Sequence, residues 1–426
     1  MNDDNRGPLA GIRVVEFAQA LAIPLCGMLL GDLGADVTKV EPPVGDQVRY
    51  LFGRGQTDSP YFVAINRNKR SICLDLASAE AATIVAALVR EADVALVSLK
   101  PTDVPRYGLD EARLRAIRPD LVYLANPPLG PEGPHGHEGG YDVLVQAISG
   151  LSFVTARAVN DVPVNIRPAY NDVGTGALAA LGVVAALRHR DLTGEGQRVE
   201  TSLLATALLF GQTIVGRFPE LVGDTVERFH AELAELRARG GSFEDERNLY
   251  RDRIAGGEGV LRFYFRHYRT ADAMVSVGCL SNALYDRFHA VTGLPDPRTD
   301  PTSRFATPGF ETLVRRAEEV FRQATTEEWL ARFRAAGVPC ARYNLPTEVL
   351  DDPQVVANHY AVELDHPTLG RHQVPGPPIR FDRTPTSARV PAPTLDQDTD
   401  EVLAELGFGT GQIAAWRVAG TVGRKR

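Results

Sequence analysis

Residues 9–49 read LAGIRVVEFAQALAIPLCGMLLGDLGADVTKVEPPVGDQVR, and this stretch decides the fold class. Ile12-Arg13-Val14-Val15-Glu16-Phe17 is a short β-branched and aromatic run that predicts a strand. Pro24 to Leu33 is rich in small and aliphatic residues and is closed by Gly34, the pattern of a helix stopped by its C-terminal glycine. Ala35 to Val40 predicts a second strand, stopped by Glu41-Pro42-Pro43. Strand, helix and strand at this spacing make the repeating unit of a parallel sheet.

Outward from there the pattern repeats. Ser71 to Leu76 is strand-like, Ala79 to Glu91 helical and Val94 to Val97 a buried strand. Glu111 to Ile117 is helical and Leu121 to Leu124 a strand. The alternation predicts an α/β fold with a mostly parallel sheet covered on both faces. Ligands of such sheets sit beyond the carboxyl ends of the strands. The loops after Phe17, Val40, Val97 and Leu124 are therefore where a site is expected. Residues 125–141 form a Gly/Pro/His loop. Gly174 to Leu187 has almost no polar side chain and predicts a buried helix. Arg198 to Ser202 looks like a strand entry, with a long helix following to about Phe218.

Composition then shifts. Residues 219–260 are rich in charge and hold Gly240-Gly241 and Gly256-Gly257, the pattern of a linker or solvated insertion. Residues 261–338 carry helical patterns and read as a smaller second domain. Beyond them the chain is proline-rich, with a strand-like Ile379-Arg380-Phe381 and a closing helix from Asp398 to Leu406. The division expected is a large domain from 1–215, a linker or insertion over 216–260, a small domain over 261–338, and a return over 339–426 that completes the large domain.

The chain has 426 residues, enough for two or three domains, and 44% apolar residues can build a sizeable core. A net charge of −8 argues against general binding to nucleic acid or an anionic membrane. The apolar run Thr175 to Leu187 is short of the ~20 residues that span a bilayer. Met1-Asn2-Asp3-Asp4 is acidic and carries no apolar segment, so no secretory leader is expected. Cys26, Cys73, Cys279 and Cys340 form no CxxC pair and read as reduced core thiols of a cytoplasmic protein.

Among the motifs, Gly31-Asp32-Leu33-Gly34 and Gly174-Thr175-Gly176 both miss the GxGxxG pattern, which disfavours a dinucleotide cofactor. His135-Gly136-His137 has no further ligand at useful spacing, so no metal is expected. Lys69-Arg70, Lys100 and Arg106 flank strand ends, either as solvated charge or as partners for ligand phosphates. Asp172 precedes an apolar helix. It reads either as a helix cap or as a carboxylate kept ionised by the helix dipole and able to act as a covalent nucleophile.

Residues 9–49 also resemble the opening of the family III CoA-transferases, which include formyl-CoA transferase and the carnitine-associated and bile-acid-inducible (CaiB/BaiF-like) CoA-transferases. The resemblance continues through NRNKRSICLDL (66–76), ADVALVSLKPTDVPRYGL (92–109), GGYDVLVQAISGL (139–151), NDVGTGALAALGVVAALRHRDLTGEGQRVETSLL (171–204), GVPCARYNLPTEVLDDPQ (337–354) and DQDTDEVLAELGF (396–408). It implies a Rossmann-like large domain, an inserted smaller α+β domain and an interlocked homodimer. It implies transfer of CoA from an acyl-CoA to a free carboxylic acid, with no metal and no bound cofactor, CoA being a substrate. It places the nucleophile at Asp172, working through an aspartyl anhydride and an aspartyl-CoA thioester. CoA contacts carry over to Ala20, Leu21 and Ala22; to Leu74, Asp75, Leu76 and Ala77; to Ser98, Leu99, Lys100 and Arg106; and to Gly139, Gly140, Tyr141 and Asp142. Leu21 stands where formyl-CoA transferase has its mobile glutamine, and that enzyme's glycine-rich lid has only Gly278-Cys279-Leu280 as a counterpart. The alternatives are an α-methylacyl-CoA racemase of the same fold and a non-catalytic acyl-CoA-binding protein. The racemase's Gly-His-Asp appears here as Gly140-Tyr141-Asp142, and a tyrosine with pKa near ~10 is a poor base at neutral pH.

Overall fold

The structure, a computed structural model, describes residues 7–51, 58–216, 223–255, 259, 261–299 and 308–424. The chain divides into two compact units, one of residues 1–159, 163–216 and 353–426, the other of 160–162 and 217–352.

The first unit is mixed α/β around a parallel sheet. Its strands are β1 (Arg13–Ala18), β2 (Asp36–Glu41), β3 (Lys69–Cys73), β4 (Val94–Ser98), β5 (Val122–Ala125) and β6 (Arg198–Glu200), in the order β3-β2-β1-β4-β5-β6. Every pairing is parallel. The order reverses between β1 and β4, the switch point at which such sheets open a crevice. The helices that matter to the site are α1 (Ala22–Asp32), α2 (Ala81–Glu91), α3 (Asp142–Ile148), α4 (Tyr170–Thr193) and α5 (Leu203–Phe210).

Alternation along the strands serves two cores. Val15, Phe17, Ile72 and Tyr123 pack with Ile84 and Leu88 of α2 and with Val402, Ile413 and Trp416 of two C-terminal helices. Val14, Val37, Leu96 and Leu124 pack on the other face with Ile23, Cys26 and Leu30 of α1 and Ala179, Val183 and Leu187 of α4. Both faces are covered, as a parallel sheet requires.

Helix α4 differs from expectation. It begins at Tyr170, ahead of Gly174, and runs to Thr193, with Gly194 in the left-handed region at φ 77°. It is long and apolar enough to cross a membrane by length and composition. One side lies in the core, while Leu181 on the other is 65% exposed. Gly176 lets α4 close on α1, since a Cβ there would lie 2.5 Å from the Ala22 carbonyl oxygen. At Gly174 a Cβ would lie 2.2 Å from the Phe210 ring. The glycines of the GTG motif are thus helix-packing glycines.

The helix expected to reach Phe218 stops at Phe210, capped by Gly211; Phe218 itself lies outside the described residues. Ile379-Arg380-Phe381 is not a strand. The strands of that region are a hairpin formed by Ala361–His366 and Gly370–Pro375.

In the second unit the charge-rich segment is helical. Helices Thr225–Ala238 and Phe243–Arg253 are joined through Gly240-Gly241. Arg237–Glu246 (2.7 Å) and Arg253–Glu232 (2.9 Å) pair them, and Phe229 meets Tyr250 edge-on. Ser242 and Asp245 form a capping box. A three-stranded antiparallel sheet follows, made by Phe265–Arg269, Met274–Gly278 and Cys340–Arg342. Its core is aromatic, with Tyr268 stacked on Phe321 at 3.9 Å between ring centres and Phe288, Trp329 and Phe333 beside them.

Candidate active site

The β1–α1 loop is held from beneath by buried charges. Lys39 Nζ on β2 lies 2.9 Å from Glu16 and 3.0 Å from Asp46, and donates to the Ala18 carbonyl at 2.7 Å. Lys69 Nζ on β3 lies 2.8 Å from the other oxygen of Glu16 and donates to the Pro24 carbonyl at 2.7 Å. Asp46 Oδ1 accepts the Ala20 N–H at 3.2 Å. All four side chains are fully buried. Three backbone points around the loop, at 18, 20 and 24, are thereby fixed. Ala20 is held at φ 68°, a conformation that a residue with a Cβ rarely adopts unless its surroundings impose it.

This corrects the reading of Lys69 and Arg70 as phosphate partners. Lys69 is neutralised inside the protein. Arg70 reaches Asp36 and Glu405 at 3.3 and 2.7 Å, at the amino end of β2 and β3.

Asp172 is in the first turn of α4, at its third residue. The residue at the N-cap is Ala169, whose side chain cannot cap, so the reading of Asp172 as the cap does not hold. The cap comes from Asp142 at the start of α3. Its Oδ1 accepts the Asn171 N–H at 3.1 Å, and its Oδ2 accepts from Gln146 Nε2. Burial and the neighbouring Asp142 charge push the Asp172 carboxyl up to about 7. Desolvation therefore outweighs the dipole that was expected to keep Asp172 ionised.

These pieces meet in one cavity of about 810 Å³ at the carboxyl ends of β1 to β5, lined by residues of the first unit. Ala20, Leu21 and Ala22 enter it from the β1–α1 loop and the first turn of α1. Leu74, Asp75, Leu76 and Ala77 follow β3; Ser98, Leu99 and Lys100 follow β4. Gly139, Gly140, Tyr141 and Asp142 lead into α3, and Asp172 faces the cavity from α4. Of the first turn of α1, Ala22 belongs to the lining, and as the first helical residue its N–H has no intrahelical partner; Pro24 has no N–H, and the Leu25 N–H is bonded to the Leu21 carbonyl. Arg106 is the exception. It ends the short helix Asp103–Arg106, is 66% exposed at its side chain, lies 3.7 Å from Asp103, and is not part of the lining.

The lining also holds residues that the sequence reading missed, among them Gln19, Gln47, Asn126, Val143, Asn165 and Leu203. Gln19 and Asn126 lie just past strands whose ends were expected to face a ligand, so their positions were a usable signal. Asn165 and Leu203 carry no such signal. His135, in an exposed loop, meets Glu138 at 3.0 Å. No cluster spaced to hold a metal ion occurs among the described residues.

The profile of CoA-transferase family III matches residues 9–233 and 245–399. The chain is 29% identical over 426 residues to succinyl-CoA:glutarate CoA-transferase of Mus musculus, covering 98% of this chain and 91% of that one. It is 30% identical to succinate–glutarate CoA-transferase of Agrobacterium fabrum, covering 95% and 96%. Among solved structures, a CaiB/BaiF family protein from Brucella suis aligns with a TM-score of 0.72 at 28% identity, covering 94% of this chain and 100% of that one.

Proposed function

This chain belongs to CoA-transferase family III, and from that premise we propose that it moves CoA between carboxylic acids with Asp172 as the covalent nucleophile. The observation that carries the reading is Asp172, which opens into the cavity that also holds the loops after β1, β3 and β4.

The Asp172 carboxylate attacks the thioester carbonyl of the donor and expels CoA thiolate, leaving an aspartyl-acyl anhydride. The thiolate then attacks the aspartyl carbonyl of that anhydride. The donor acid leaves as its carboxylate, and CoA is now held as an aspartyl thioester. The acceptor carboxylate attacks that thioester, forming a second anhydride and freeing the thiolate. Attack of the thiolate on the acceptor carbonyl gives the new acyl-CoA and restores Asp172. Activation is conserved at each step, so no nucleotide is consumed. The N–H of Ala22 at the start of α1 is a candidate to stabilise the oxyanions formed on the way. Lys100, which has no ion pair among the described residues, is a candidate for a CoA phosphate.

Water must be kept from the anhydride. We propose that a second copy of the chain contributes to this as a homodimer. Leu208, Leu209 and Phe210 on α5 and Leu181 on α4 are exposed and apolar, a surface of the kind that associates.

Asp172→Ala should abolish exchange of label between acyl-CoA and free acid while CoA still binds. Hydroxylamine added during turnover should modify the peptide that carries Asp172, seen by mass spectrometry. Exchange at the wild-type rate in Asp172→Ala would refute the mechanism.

A further inference from the structure

One buried carboxylate ties together two parts of the cavity wall. Gln19, Ala20, Leu21 and Ala22 line the cavity from the β1–α1 loop, and Gln47 and Val48 line it from the short turn Gln47–Arg49 after β2. Asp46 Oδ1 accepts the Ala20 N–H at 3.2 Å and the Val48 N–H at 3.1 Å. Its Oδ2 lies 3.0 Å from Lys39 Nζ, which donates to the Ala18 carbonyl at 2.7 Å. Asp46 is fixed in turn by its own N–H, donated to Glu41 Oε2 at 3.0 Å. Asp46, Lys39 and Glu41 are all buried.

The loop held in this way is strained. Ala20 stands at φ 68°, in the left-handed region that is unfavourable for a residue with a Cβ and open to glycine. Its methyl group packs against the cluster of Val48, Phe62 and Val63. With no acceptor fixed under its N–H, Ala20 would gain by returning to negative φ. That rotation would move Leu21 and the Ala22 N–H, because Leu21 alone separates Ala20 from the start of α1. A buried ion pair is weak evidence for stability, whereas a strained residue persists only where its surroundings over-determine it.

We propose that Asp46 is a positioning residue of CoA transfer. It acts through the backbone of Ala20, seated there by Lys39, and keeps the Ala22 N–H in place for the oxyanion of the attacked carbonyl. The proposal rests on the reading of Asp172 as the nucleophile, which supplies the reaction that the loop serves.

The test compares wild type, Asp46→Ala, and Asp46→Ala combined with Ala20→Gly. Label exchange is first screened in the wild type with acetyl-CoA, isobutyryl-CoA and succinyl-CoA against acetate, isobutyrate, succinate and glutarate. The fastest pair then gives kcat and KM for each variant, alongside its melting temperature. In Asp46→Ala, kcat should fall roughly 10- to 100-fold, with a smaller change in KM for the acyl-CoA. Adding Ala20→Gly should restore kcat by roughly threefold or more, since glycine takes φ 68° without strain. A merely structural Asp46 would change the melting temperature and leave kcat of the folded enzyme alone. Should Asp46→Ala fail to fold, Asp46→Ser keeps a cap for the Val48 N–H on a shorter side chain and should show the same loss and the same rescue. Wild-type kcat in the folded Asp46 variant would overturn the proposal. So would a kcat that Ala20→Gly fails to restore, because packing of the Ala20 methyl would then hold the loop. Exchange with no pair in the wild type would instead remove the reading of Asp172, and the proposal with it.

Discussion

At the scale of single residues the site turns on a pair of carboxylates of unequal standing. Asp142 is hydrogen-bonded and holds the end of α4; Asp172 is desolvated beside it, with its carboxyl pushed up to about 7. Under the proposed mechanism Asp172 must be ionised to attack, so kcat/KM should rise with pH through a midpoint near 7 in the free enzyme. Asp142→Asn keeps an acceptor for the Asn171 N–H and removes the neighbouring charge. The midpoint should then fall but stay above the usual carboxylate range, since burial is the larger cause. A midpoint that stays put or rises in Asp142→Asn would show that the two carboxylates do not interact. The sequence placed Asp172 at a helix start but could not say what caps that helix. The cap lies 29 residues earlier, on another element, and Pro168-Ala169-Tyr170 contains no capping side chain.

At the scale of elements, the strands were legible because their buried runs are short, β-branched and bounded by glycine or proline. The charges inside them were not. Glu16, Lys39 and Lys69 look like ordinary polar interruptions until β1, β2 and β3 lie side by side. The two helices of residues 225–253 were also missed. High charge suggested a solvated linker, although the spacing Ser242 to Asp245 was a usable start signal. Gly27 on α1 offers a contest of magnitudes. Alanine in a helix interior is favoured over glycine by roughly 0.5–1 kcal/mol. Here a Cβ would lie 2.0 Å from Glu16 Oε2, inside the paired charges. Overpacking of roughly 1–3 kcal/mol, before any loss of the ion pairs, outweighs the gain. Gly27→Ala should lower the melting temperature. Gly411→Ala should leave it unchanged or raise it, since a Cβ there meets nothing within 4 Å. A rise in melting temperature in both variants would show that helix propensity decides at both sites.

At the scale of the whole molecule, the first unit draws on both ends of the chain. The outer edge of β3 is paired by the last residues: Asp398 accepts the Ser71 N–H at 2.7 Å, Thr399 accepts from Cys73 at 3.0 Å, and Val422 bridges Leu74. Removing residues from 396 onward should strip that edge and uncover Phe17 and Ile72 where Val402 and Trp416 now cover them. The expected outcome is aggregation on expression, read by size-exclusion chromatography; a monodisperse, folded product would contradict it. The proposed dimer makes a separate prediction. Light scattering on serial dilution should report two copies down to nanomolar concentration, and a folded monomer there would refute an interlocked assembly.

The closed edge of β3 also sets a schedule for synthesis. More than 300 residues separate Cys73 from Asp396. A ribosome adding ~5–20 residues per second needs roughly 15–65 s to cross that gap. Throughout it, the nascent chain holds a finished strand with an open side and nothing yet made to shut it. Slow decoding late in the message, or a stop codon just short of the end, would prolong that exposure. The closing helices thus serve as the last clasp on a sheet whose other strands are already waiting.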